Sequence, residues 1–431
     1  MLKFNRNLIT NELLAQNPWW ENGKNPRGHA IQSHRDLFGA FLDRVKNREL
    51  ITGLVGLRRV GKSTLIQQAI TDLLNEGNSP KSILYFLFEE LPSKNSCEIL
   101  RQILDFQIGR KVSGKNYVFL DEIQYVDGWN SLLKYYFDLY PQLKIVVSGS
   151  ASLFIHTSAK ESLAGRIQEL VMRPMGYGEY LRINSKEDSE INFRHYLSWG
   201  EFPYLEKLPG WEEKSEYVNE FVFKKVVEHD LPKLKKVYGN ELSNMLKLLI
   251  THSGQIIEIQ NLAADLGIAQ NTAREYLKLL EDTHLISQVF NLGLGFRTRS
   301  MKQRKVYGSS VNAQVLSSIG SIDSEIWSKD IGLIIETFVY NHLLRKSSGD
   351  IVFWRQRQVR EVDFVLVSSG EKLPIEVKYQ NQLKRKDLDN ILYYCEKEKL
   401  KKAMVVTKFE SGVKKIGGVK IDFRPANMLM D

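Results

Sequence analysis

From Leu50 to about Arg173 short apolar runs alternate with stretches of helical periodicity. The runs are ITGLV (51–55), SILYFLF (82–88), YVFL (117–120), KIVVS (144–148) and ELVM (169–172). Continuous apolar runs of this length, separated by amphipathic stretches, predict strands of a parallel sheet with helices on its faces. After Pro174 the pattern changes to aromatic-rich helical stretches (GYGEYLRI, FRHYLSWGEFPYLEK, EYVNEFVFKKVVEHDL), which predict a helical lid or connector. Between Glu241 and Ile286 the apolar positions fall at helical spacing and Gly267 interrupts them, predicting a helix-turn-helix. Its second helix would turn Asn271, Thr272, Arg274, Glu275 and Lys278 outward, towards a DNA groove, although such domains also serve as structural elements. Asn291–Ser328 gives no clear pattern. Beyond it, a helix with Ile334, Ile335, Phe338, Val339 and Leu343 on its apolar face leads into strands IVFW, VDFVLV, PIEVK and AMVVT. The expected division is therefore 1–173, 174–240, 241–328 and 329–431.

Composition changes this picture little. Of the 431 residues 43% are hydrophobic and 26% charged, so the chain is expected to fold nearly throughout. Two cysteines, Cys97 and Cys395, exclude a disulfide framework and predict a reducing compartment. The first residues lack the apolar core of a signal peptide, and no window approaches the roughly 20 apolar residues of a membrane span, so a cytoplasmic protein without membrane attachment is expected. Net charge is +9, and Lys384, Arg385, Lys386, Lys397, Lys399, Lys401, Lys402, Lys414 and Lys415 gather towards the end of the chain. That suits nucleic acid, and it suits a solvated lysine-rich face equally well.

Chemistry is most legible at Gly56–Ser63, GLRRVGKS, which satisfies G-x-x-x-x-G-K-[ST] between a predicted strand and a predicted helix. Gly56 and Gly61 let backbone N–H groups wrap phosphates at a helix N-terminus, Lys62 reaches the β and γ phosphates, and the Ser63 hydroxyl, next to Thr64, ligates Mg²⁺. ATP with Mg²⁺ is thus the expected ligand. The strand YVFL ends in Asp121, placed to hold Mg²⁺, and Glu122, placed to activate the attacking water. KIVVSGSAS ends in Ser148 and Ser150, of which Ser150 is the expected γ-phosphate sensor. Arg166 would stabilise transition-state charge at its own site or across a homo-oligomer, a surface ion pair being the alternative.

The order GLRRVGKST, YVFLDEIQ, VVSGSAS, LAGR, RPMGYGEYL and GEFPYLEK resembles the archaeal-type AAA ATPases of the AAA+ and STAND P-loop group, over nearly the whole chain. The resemblance implies a role for Arg59 in the P-loop, a winged helix after the ATPase, and a restriction-endonuclease-like domain at the end. The implied fold class is α/β: a P-loop AAA-type ATPase domain with helical lid, a winged helix-turn-helix, and a C-terminal restriction-endonuclease-like α/β domain.

In that last domain EVDFVLV and PIEVKYQ supply Asp363, Glu376 and Lys378. Glu376 and Lys378, two apart on a strand, share a face; with Asp363 on a neighbouring antiparallel strand the carboxylates could share Mg²⁺ beside the lysine. The set resembles a PD-(D/E)xK nuclease core, with Glu336 as an additional acid and Val362 where the motif's name has proline. The expected function is ATP hydrolysis coupled to action on DNA, as an ATP-regulated, metal-dependent nuclease. The alternative is an ATP-driven switch whose later domains only bind nucleic acid or a protein.

Overall fold

The computed structural model describes residues 6–29, 33–47, 49–89, 96–150, 163–231, 239–292, 304–318, 325–356 and 359–430. The five expected runs form five strands: β1 (Ile51–Gly56), β2 (Ile83–Leu87), β3 (Asn116–Asp121), β4 (Leu143–Ser150) and β5 (Ile167–Met172). They pair in parallel in the order β2-β3-β4-β1-β5. β1 and β3 are buried along their whole length, which is why their sequences carry no polar alternation. In a parallel sheet all carboxyl ends lie along one edge, so the loop after β1 and the acids ending β3 are brought to the same side.

The edge of β2 is covered by the N-terminal segment. The Asn17 side chain accepts from Tyr85 N at 2.7 Å and donates to Tyr85 O at 2.9 Å, copying a strand's pairing. Trp19 and Trp20 donate their indole N–H groups to Ile83 O, and Gln16 accepts from Leu87 N. An exposed strand edge is thereby closed to another chain.

These elements belong to one compact unit, Met1–Arg173; the other is Pro174–Asp431. In the second unit helices Ile259–Asp265 and Gln270–Asp282 flank Gly267, whose φ of +64° makes the turn. A small sheet of β6 (Ile256–Ile257), β7 (Ile286–Phe290) and β8 (Arg304–Gly308), ordered β6-β8-β7, adjoins them. Of the stretch without a clear sequence pattern, residues 293–303 and 319–324 lie outside the described residues.

Helix Glu325–Lys346 precedes a six-stranded mixed sheet. Its strands are β9 (Asp350–Gln356), β10 (Arg360–Ser368), β11 (Glu371–Lys378), β12 (Lys402–Thr407), β13 (Gly412–Ile416) and β14 (Val419–Pro425), ordered β13-β14-β12-β11-β10-β9. β9, β10 and β11 are antiparallel neighbours; β11, β12 and β14 run parallel, with helix Asp389–Lys397 crossing between β11 and β12.

The segment expected as a helical lid is helical, but its aromatic side chains are committed to the second unit's core. Tyr177, Tyr180, Phe193 and Tyr196 are buried in one cluster with Tyr307, Phe338, Phe364 and Ile375. Phe193 and Phe338 meet edge to face at 5.2 Å. Glu201, fully buried, fastens the same segment further: it accepts from the Ser310 hydroxyl at 2.6 Å and from Asn312 N at 2.9 Å.

Candidate functional site

The P-loop leaves β1 at Gly56, where an added Cβ would lie 2.2 Å from Met172 O at the end of β5, so only glycine fits. Two further residues take the left-handed conformation, Arg59 (φ +68°) and Gly61 (φ +103°). For a non-glycine residue this costs roughly 1–2 kcal/mol, a strain the flanking strand and helix must hold. Helix Lys62–Asn75 then begins at Gly61, which has no side chain to cap the first turn, so among the described residues its first-turn N–H groups are open to a ligand. Lys62 is buried, and its ammonium donates to Leu57 O at 3.0 Å and Gly56 O at 3.3 Å, folded back over the loop. Ser63 is exposed and Thr64 half-buried beside it. Arg35 braces the loop from outside, donating to Val60 O at 2.5 Å and to Arg173 O at 2.8 Å.

Asp121 ends β3 fully buried. Its Oδ2 accepts from the Tyr85 hydroxyl at 2.8 Å and its Oδ1 from the Ser148 hydroxyl. Ser148 also accepts the Glu122 N–H at 3.3 Å, so one hydroxyl ties both acids to β4. Glu122 is left-handed (φ +54°), turning its carboxylate back towards the loop, where Oε1 stands 4.0 Å from Lys62 Nζ and Oε2 accepts from Gln124. Burial and the neighbouring Asp121 push the Glu122 carboxyl above the usual carboxylate range, against the opposing pull of Lys62. Ser150, also buried, stands across from Gly56 in the β1–β4 register. Sequence reasoning put the sensor at Ser150 and missed Tyr85; the only signal for Tyr85 was a hydroxyl within an otherwise apolar run.

In the second unit β10 and β11 are antiparallel, and Asp363 lies one step beyond the Phe364–Ile375 pair, opposite Glu376. The register between β9 and β10 shifts between Val362 and Val365, which places Asp363 within a bulge. Asp363 Oδ2 accepts from Val377 N at 2.8 Å. Glu376 Oε1 accepts from Lys378 at 2.6 Å across the shared face, while its buried Oε2 has no hydrogen-bond partner among the described residues. Burial and Asp363 raise the Glu376 carboxyl to about 8.

Three residues absent from the sequence reading complete this cluster. Lys305, 3% exposed on β8, sits 2.8 Å from Glu336 Oε1, 2.6 Å from Glu361 Oε1 and 3.8 Å from Asp363 Oδ1. Tyr307, two residues along the same strand face, donates to Glu336 Oε1 at 2.6 Å. Burial works against the Lys305 charge, but Glu336, Asp363 and Glu361 outweigh it and hold the ammonium well above the usual lysine range. The expected metal ligands Glu336, Asp363 and Glu376 therefore do not fit a divalent cation as they stand. Among the described residues no group of three or more His, Cys, Asp or Glu side chains is arranged to hold one.

Residues 48–181 match a family described as AAA domain. The P-loop and the Asp121–Glu122 pair lie within the residues that match this AAA domain. Residues 190–310 and 331–422 match two families described as domains of unknown function, DUF8612 and DUF4143. The chain is 24% identical over 396 residues to an uncharacterized protein of Haemophilus influenzae, covering 87% of this chain and 93% of that one. It is 25% identical over 348 residues to an uncharacterized protein of Methanocaldococcus jannaschii, covering 76% and 74%. Among solved structures, AMPPCP-bound DnaA from Aquifex aeolicus aligns over 62% of this chain and 92% of that chain, at 12% identity and a TM-score of 0.31. A STAND protein with a tetratricopeptide repeat sensor from Pyrococcus horikoshii aligns over 74% and 46%, at 10% identity and a TM-score of 0.27.

In the AAA domain the residues fit a magnesium nucleotide: an uncapped helix N-terminus, an ammonium parked on loop carbonyls, an exposed hydroxyl at Ser63 and a buried carboxylate at Asp121. Arg166 does not join them within one chain. It precedes β5, whose start pairs with the start of β1 at Ile51–Ile167, whereas the P-loop leaves the opposite end at Gly56–Met172. Six strand residues separate the two by about 20 Å. Arg166 instead forms a forked ion pair with Asp138, at 2.8 and 3.1 Å. Of the alternatives expected for Arg166, the surface ion pair is the one formed within the chain.

Proposed function

We propose that the chain is an ATP-hydrolysing conformational switch whose second unit binds DNA. The observation that carries this reading is the assembly of Lys62, Ser63, Asp121 and Glu122 at the carboxyl edge of β1 and β3 in the AAA domain. Lys62 and the first-turn N–H groups of its helix hold the phosphates; Ser63 and Asp121 hold Mg²⁺, which supplies charge neutralisation when bound. Glu122 orients the attacking water and takes its proton, and its raised affinity for protons suits a general base. Ser148 and Tyr85 hold Asp121 in place, and Ser150 lies close enough to the loop to sense the γ-phosphate.

DNA is favoured as partner by the net charge of +9 and by helix Gln270–Asp282, which leaves Asn271 and Lys278 exposed and Arg274 half-exposed on its outward side. Lysines 384, 386, 399, 401, 402, 414, 415 and 420 add a phosphate-attracting surface in the last domain. The six-stranded sheet, with its leading helix and its β11-helix-β12 crossover, supports the restriction-endonuclease-like reading of that domain. Metal-dependent cleavage by Asp363, Glu376 and Lys378 with Glu336 is the competing function, and the Lys305 ammonium among those carboxylates weighs against it. No described helix is long and apolar enough to cross a membrane.

The test measures ATP loss, DNA cleavage and fluorescence anisotropy of labelled DNA on the purified full chain, with ATP, with ADP and without nucleotide. Hydrolysis, a DNA affinity that differs between ATP and ADP, and intact DNA are expected. Equal affinity in all three states would remove the switch, and Mg²⁺-dependent cleavage would restore the nuclease.

A further inference from the structure

Lys305 reaches the carboxylate cluster from a separate element. It lies on β8, in the small sheet beside the helix-turn-helix, whereas Glu336 belongs to helix Glu325–Lys346 and Glu361 and Asp363 to β10. One ammonium therefore gathers carboxylates from two elements onto a third, with two contacts at 2.8 Å or less. Cross-linking oxygens from separate elements is the structural work of a divalent cation, whose oxygen ligands lie at about 2.0–2.6 Å.

Most of the carboxylates around this centre face a cation. Glu361 faces Arg355 as well, at 3.6 Å, and Glu376 carries its own ammonium, Lys378, at 2.6 Å. Four carboxylates thus meet three fixed cations. Glu336 Oε1 already accepts from Lys305 and Tyr307. A metal entering there would have to displace an ammonium that is almost wholly buried and held among three carboxylates.

We propose that Lys305 is a built-in replacement for a divalent cation: the Glu336–Glu361–Asp363 cluster is a metal-free ion cluster that fastens β8 to the C-terminal sheet and excludes metal from it. This inference does not depend on the ATP site, and its failure leaves the ATPase reading untouched. In its terms the nuclease-like domain keeps the acids of a metal site but spends them on holding the helix-turn-helix module against the sheet.

The experiment titrates Mn²⁺ into nucleotide-free full-length protein and counts bound Mn²⁺ from the loss of the free-ion signal in electron paramagnetic resonance. Wild type and Asp363→Asn are expected to bind the same number. Lys305→Met, which keeps the aliphatic stem and loses the charge, is expected to gain one site; Lys305→Arg, which keeps the charge, gains none. Adding Asp363→Asn to Lys305→Met should remove the gained site. The proposal is overturned if wild type binds one Mn²⁺ more than Asp363→Asn, or if folded Lys305→Met, verified by a thermal melt, gains none. Should Lys305→Met fail to fold, equal binding by wild type and Asp363→Asn upholds the exclusion of metal, and unequal binding refutes it.

Discussion

Lys62 Nζ lies 4.0 Å from Glu122 Oε1, so the group that meets the phosphates and the group that activates water face each other across the P-loop. Their roles separate on substitution. Lys62→Ala removes the ammonium now resting on Leu57 O and is expected to lose nucleotide binding, read with a fluorescent ATP analogue. Glu122→Gln keeps the shape and loses the base, so it should bind ATP and lose turnover by about 10²–10⁴-fold. Normal turnover in Glu122→Gln would remove the assignment of the base.

A pH profile follows from the same carboxylate. A general base works deprotonated, and burial raises Glu122 above its ordinary value of 4.5. The rate of ATP hydrolysis at saturating ATP is therefore expected to fall as pH drops through this raised value, earlier than an ordinary glutamate would make it fall. In Glu122→Gln the residual rate should lose that limb. A wild-type profile flat down to the ordinary carboxylate range would show that another group takes the proton.

The Tyr85 hydroxyl is expected to act through Asp121. Tyr85→Phe leaves the buried Asp121 Oδ2 without its donor, a loss of about 1–3 kcal/mol. A lowered melting temperature alone would indicate a structural contact. A positioning role also shifts the Mg²⁺ concentration giving half-maximal ATP turnover, with little change in nucleotide affinity measured without Mg²⁺.

How much of this was legible depends on where the partners lie in the chain. Gly56, Lys62 and Ser63 are within one loop, and Asp121 and Glu122 end one apolar run, so local spacing was enough to find them. Lys305 was not legible: its carboxylates are 31, 56 and 58 residues away on two other elements, and a lysine in a short strand reads as surface. The aromatic stretch after Pro174 was legible as helix but not as core of the second unit, because helical periodicity does not name the surface a face packs on. Arg166 is a different case. A parallel sheet alone puts any residue preceding a strand at the edge away from the phosphates, so its distance from its own P-loop was available from the strand order.

That distance leaves one catalytic role for Arg166, at the nucleotide of a neighbouring copy. The Asp138 ion pair is surface-exposed and worth little on its own, so it presents no large barrier to redirecting the guanidinium onto a phosphate. If Arg166 completes a neighbour's site, Arg166→Ala should retain nucleotide binding and lose ATPase activity in the pure oligomer. Lys62→Ala protein, inactive by itself, supplies an intact arginine to an Arg166→Ala neighbour whose P-loop is intact. Mixing the two should then recover activity in proportion to the mixed interfaces, counted by native mass spectrometry. Mixed oligomers without recovery, or full activity of Arg166→Ala alone, would reduce Arg166 to a partner of Asp138 on the sheet's far edge.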